Sequence, residues 1–64
     1  MNTQIVTASV EAKDVRIGET MIIDGYRETV SQIVTEFGNT LIAFVARPWT
    51  NYLANELVEV TYLR

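Results

Sequence analysis

Glu11 and Asp14 stand three residues apart, and so do Glu56 and Glu59. Two carboxylates that converge in a pocket can do general acid–base work. On a helix a spacing of three puts both on one face, but on a strand it turns them apart. Exposed acids are the norm on protein surfaces, so solvated charge is the expected role of both pairs. Asp24-Gly25 offers a further carboxylate, either on a working loop or at a corner. The rest of the chain completes no reaction centre. It has no His and no Cys, which removes the commonest neutral-pH base and every thiolate. The three glycines are scattered rather than gathered into a loop that could cradle phosphate. A chain of 64 residues also has little room for a water-excluding pocket of about 300 Å³ or more. The expectation is a protein that is not an enzyme and that uses no cofactor or metal.

Contact chemistry is better represented. Arg47-Pro48-Trp49 is followed by Tyr52, and Tyr26-Arg27 follows the Asp24-Gly25 pair. Aromatic and arginine side chains are over-represented where proteins bind other proteins. Tyr26, Arg27, Arg47, Trp49 and Tyr52 are therefore the candidate protein-binding residues. A small domain also needs its single Trp for packing, so Trp49 is expected first in the core and second in a contact. Tyr26 and Tyr52 are open between the two roles.

These residues must be positioned by a core that 64 residues can build. Such a domain buries only about 60% of the surface its unfolded chain exposes. Its stability is then roughly 3–5 kcal/mol, with no disulfide to add to it. The hydrophobic content of 48% argues for a folded chain. Five basic residues stand against eight acidic ones, a formal charge of −3. That suits a cytoplasmic protein and disfavours a dedicated nucleic-acid binder, whose affinity rests on cations meeting phosphates. No stretch approaches the roughly 18–20 apolar residues of a membrane-spanning helix. The opening "MNTQIVTASVEAK" lacks the charge and apolar run of a signal peptide, which fits a complete small reading frame.

Turn signals recur at short intervals: Gly18, Asp24-Gly25, Gly38-Asn39, Pro48 and Asn55. Between them lie β-branched and aromatic runs, the pattern of a small all-β barrel or sandwich in one domain spanning residues 1–64. Strands are expected at Thr3–Val10, Glu19–Asp24, Tyr26–Phe37 and Thr40–Ala46, the last apolar on both faces and central. Asp24-Gly25 fits a type I′ hairpin, whose two central residues need positive φ. Val30 and Ile33, three apart, cannot both face inward on a regular pleat, so a bulge or bend is expected at Ser31-Gln32. A second tight turn is expected at Gly38-Asn39. Residues 49–63 are ambiguous. Trp49, Tyr52, Leu53, Leu57, Val60 and Leu63 also fit a helical stripe. Poor helix formers and the alternation of "VEVTY" favour a strand at Thr50–Ala54, a tight turn at Asn55–Leu57 and a last strand at Val58–Leu63.

"AKDVRIGETMIIDGYRETVSQIV", residues 12–34, resembles small SH3-like domains, among them the KOW-like first domain of translation elongation factor P. The shared elements are a turn, Gly18-Glu19, an apolar strand, Asp24-Gly25, and Val30 set three from Ile33. "ANELVEVTYL" also looks like the end of such barrels. The resemblance covers about half of the chain. It implies a five-stranded SH3-like barrel with a bent second strand and a single 3₁₀ turn before the last strand. The alternative fold is α+β, hairpins with a C-terminal helix. Where that factor carries a lysine on a loop, this chain has Gly38-Asn39, and it lacks the further domains and the basic surface. The resemblance thus carries over no functional residue. Intein-like domains open with a comparable Gly-Glu … Asp-Gly pattern, but their nucleophiles and histidine are absent here.

Three functions fit these features. The first is a non-enzymatic protein-interaction module, of the phage or plasmid accessory type, that binds a larger protein. The second is a nucleic-acid- or ribosome-associated barrel, which requires Lys13, Arg16, Arg27 and Arg47 on one face. The third is a homo-oligomer formed through an edge strand, Thr3–Val10 or Thr40–Ala46.

Overall fold

The computed structural model describes residues 4–63, which form strands, one 3₁₀ turn and the turns and short irregular links between them. The strands are β1 (Ile5–Glu11), β2 (Thr20–Ile23), β3 (Tyr26–Glu36), β4 (Asn39–Phe44), β5 (Arg47–Leu53) and β6 (Leu57–Leu63), with the 3₁₀ turn at Ala12–Asp14. They form one antiparallel sheet in the order β1-β6-β2-β3-β4-β5. The all-β expectation holds, and the helical reading of residues 49–63 falls. Thr3, placed in the first strand from sequence, lies outside the described residues.

Local chemistry accounts for the hairpins. Asp24 and Gly25 take φ of 51° and 84°, as a type I′ corner requires. The next corner sits one residue earlier than expected. Phe37 and Gly38 hold the positive φ values, 50° and 77°, while Asn39 already pairs with Glu36. Register overrides propensity here: the pairings Thr35↔Thr40 and Glu36↔Asn39 leave only Phe37-Gly38 to turn the chain.

The sheet curls because β4 is regular and its neighbours are not. Val30 pairs with Phe44 but Gln32 with Ala43, so Ser31 is an extra residue in β3. The Ser31 hydroxyl donates to the Ala43 carbonyl at 3.1 Å and pins that bulge. On the other side, Ile42 pairs with Thr50 but Phe44 with Arg47, so Pro48-Trp49 bulge opposite the same Ala43. Bulges bend a strand and tighten its twist. The bend expected at Ser31-Gln32 is thus present, in the third strand rather than the second.

Bending brings the inward rows together. Ala12, Val15, Met21, Val30, Ile42, Phe44, Val58 and Val60 are buried, with Ala8, Val10, Ile23, Ile33 and Tyr52 packed against them. Thr40 is the one buried polar residue among the described residues, and its hydroxyl meets that of Thr35 at 3.1 Å. The 3₁₀ turn closes one end: Ala12 and Lys13 donate their amides to the carbonyls of Glu56 and Ala54, at 2.8 and 3.0 Å.

Three expectations are corrected. The described strands number six, as the runs of the sequence give, and not the five that the SH3-like resemblance implied. The 3₁₀ turn follows β1 instead of preceding the last strand. Between β5 and β6 the Glu56 carboxylate accepts from the Leu53 amide at 3.2 Å, and the Glu56 amide donates to the Leu53 carbonyl at 3.0 Å. That reciprocal lock closes a single tight turn at Ala54-Asn55, which does not continue into a 3₁₀ helix. Finally, Trp49 is not in the core. Thr50 faces inward beside Ile42, so Trp49 points outward and is 48% exposed.

Candidate functional site

Beyond the Ser31 bulge, β3 faces the core through Ile33 and Thr35, whose partners are Ile42 and Thr40. Val34 and Leu41, paired with each other, therefore lie on the opposite, outer side, as does Asn51 across from Leu41. Trp49 joins them from β5. An open groove of about 390 Å³ runs over this face, lined by Val34, Glu36, Leu41 and Trp49. Leu53, paired with Asn39, extends the apolar surface toward the hairpin tip. At the tip stands Phe37, 97% exposed. A left-handed conformation costs an ordinary residue roughly 1–2 kcal/mol. Here it is taken by a bulky aromatic that packs on nothing inside the domain. The outer face of β3, β4 and β5 thus carries Val34, Leu41, Trp49 and Leu53 among the polar Glu36, Asn39 and Asn51, with a strained aromatic at the hairpin tip. Exposed apolar patches of this kind mark contact surfaces.

The inner side is different. A second hollow of about 270 Å³ lies where the β2–β3 corner approaches β5 and β6, lined in part by Asp24, Tyr52, Glu56 and Glu59. The Pro48-Trp49 bulge turns Arg47 to the inner side, where its guanidinium donates to the Glu28 carboxylate at 3.3 Å. Burial holds the Tyr52 phenol above its ordinary pKa of 10.0, the Glu56 and Asp24 carboxylates add to the shift, and Arg47 opposes it. The folded state then keeps its phenol proton to higher pH than the unfolded chain. Stability from this source is complete below pH 10 and declines as pH rises through the folded-state pKa. Urea midpoints measured from pH 8 to 11 are expected to fall above about pH 10, and Tyr52→Phe is expected to flatten the fall. An equally steep fall in the phenylalanine variant would assign it to other groups.

The five residues singled out from sequence do not share one surface. Trp49 lies on the outer face. Tyr52 and Arg47 lie on the inner side of the same strand, half-buried. Tyr26, 68% exposed, follows the Asp24-Gly25 corner. Arg27 pairs with Ile22 and is exposed on the side of β3 away from Met21 and Glu28. Val34, Phe37, Leu41 and Leu53 were missed. Phe37 beside Gly38 was the available signal, an aromatic at a corner where small polar residues belong. Of the cations, Arg47 is engaged by Glu28, and Lys13 lies 4.0 Å from Glu11.

Of the paired carboxylates, Glu56 and Glu59 both line the smaller hollow, with Asp24 and Tyr52. Glu56 is held by the Leu53 amide and Glu11 faces Lys13. Among the described residues, no three His, Cys, Asp or Glu side chains are grouped to hold a metal, and no helix is long and apolar enough to cross a membrane. No known family, curated protein or solved structure matches this chain.

Proposed function

We propose that the chain is a small, non-enzymatic protein-interaction module on an SH3-like, partly open barrel, and that it docks a larger protein through the outer face of β3, β4 and β5. The barrel assignment is supported by the bulged β3, which serves both halves of a curled sheet. The docking assignment is carried by Phe37. Its φ of 50° and its near-complete exposure make it a liability in the free protein. A strained residue that the interior does not need is explained by what it does outside.

Phe37→Gly separates the two roles. Glycine adopts this backbone freely, and the phenyl ring makes no buried contact, so the variant is expected to gain about 1 kcal/mol of stability. It is also expected to lose partner capture. Immobilised wild-type and variant protein, exposed to lysate of the native host and compared by mass spectrometry, give the readout. Equal capture by the more stable variant would remove the docking assignment.

A further inference from the structure

The sheet is open, and its two edges are unlike. Among the described residues, nothing pairs with the outer side of β1 or of β5. The β5 edge is protected by Pro48 and by the bulge at Pro48-Trp49, both of which obstruct the addition of a strand. β1 has no such protection. Its seven residues, IVTASVE, pair with β6 in unbroken register and contain no Pro, no Gly and one charge, Glu11, at the end. β4, the other segment considered for self-pairing, lies between β3 and β5 and has no free edge.

We infer that β1 pairs antiparallel with β1 of a second copy, about a two-fold axis through Ala8. This register uses the whole strand. It sets Val6 against Val10 of the other copy and Ala8 against Ala8 on the inward row, which is half-buried in the monomer. On the outward row it sets Thr7 against Ser9, a pairing of hydroxyl side chains that stabilises antiparallel strands. Ile5 falls opposite Glu11, so the only charge in the strand never meets its own copy. The two Glu11 residues sit about 20 Å apart at roughly 3.4 Å per residue, well beyond the screening length of about 8–10 Å. The self-complementary sequence argues for a second copy over an unrelated strand. The resulting dimer uses neither β3–β4–β5 outer face, so one dimer presents two docking surfaces to a partner.

Sedimentation over a series from micromolar to millimolar tests the pairing. Wild-type protein is expected to shift from monomer to dimer, and more readily with added salt, because each copy carries a charge of −3. Thr7 and Ser9 are exposed, so changing them spares the core. Thr7→Lys with Ser9→Lys puts lysine opposite lysine twice and is expected to raise the dissociation constant about tenfold. Thr7→Glu with Ser9→Lys puts opposite charges in the same places and restores the dimer. Circular dichroism confirms that each variant is folded. A wild type that stays monomeric at millimolar concentration overturns the inference. So does a dimer indifferent to the lysine pair, or one lost equally in both double variants.

Discussion

Ile42→Ala is expected to leave the protein unfolded at room temperature. Ile42 is 0% exposed and stands mid-strand in β4, facing Ile33 on one side and Thr50 on the other. Removing a buried Ile side chain to Ala costs about 2–5 kcal/mol, from lost burial and from the cavity left behind. A domain of this size has only roughly 3–5 kcal/mol in total. Collapse of the cavity would reduce the cost, but β4 is held from both sides by strands that bulge around Ala43, so it has little freedom to move inward. Far-ultraviolet circular dichroism and the dispersion of amide resonances are the measurements. A variant with a native spectrum and a cooperative melt would show that the core is softer than its packing indicates.

The second large effect is on binding. Trp49→Ser is expected to weaken partner capture by a factor of about 30 or more, since central aromatic anchors contribute 2 kcal/mol or more when truncated. Folding is expected to change by less than about 1 kcal/mol, because the ring is half in solvent and lies outside the core. The free wild-type protein should show Trp49 fluorescence open to acrylamide quenching, and bound partner should shield it. Trp49→Phe, which keeps an aromatic ring in the groove, is expected to retain most of the capture. If the serine variant binds as well as wild type, the docking surface is elsewhere. If it melts far below wild type, Trp49 is a packing residue after all.

Features set by a few adjacent residues were legible in the sequence. Asp24-Gly25 declares its corner because few other residue pairs adopt two successive positive φ values. Val30 and Ile33 declare a bulge because the pleat cannot turn both inward. Features set by the meeting of distant strands were not. Nothing beside Trp49 says that a bulge opposite Ala43 brings Arg47 inward and leaves the indole outside. The Arg47–Glu28 pair joins residues 19 apart in sequence and becomes visible only once β3 has curled. Phe37 was misplaced for the opposite reason. Its local preference points away from a corner, and the register of two long strands prevails over it. The outer face went unseen because Val34, Leu41 and Leu53 read as core residues wherever the sidedness of their strands is unknown.

Among the described residues, β1 finds its only partner in β6, from Ile5 opposite Leu63 to Glu11 opposite Leu57. During synthesis the first strand therefore emerges long before the strand that receives it, while β2 to β5 can zip up as local hairpins. The nascent chain must carry an unmatched, β-prone segment until β6 has cleared the ribosome tunnel. Stalling ahead of Leu57 would leave both sides of that segment bare and open to other strands, a route to aggregation.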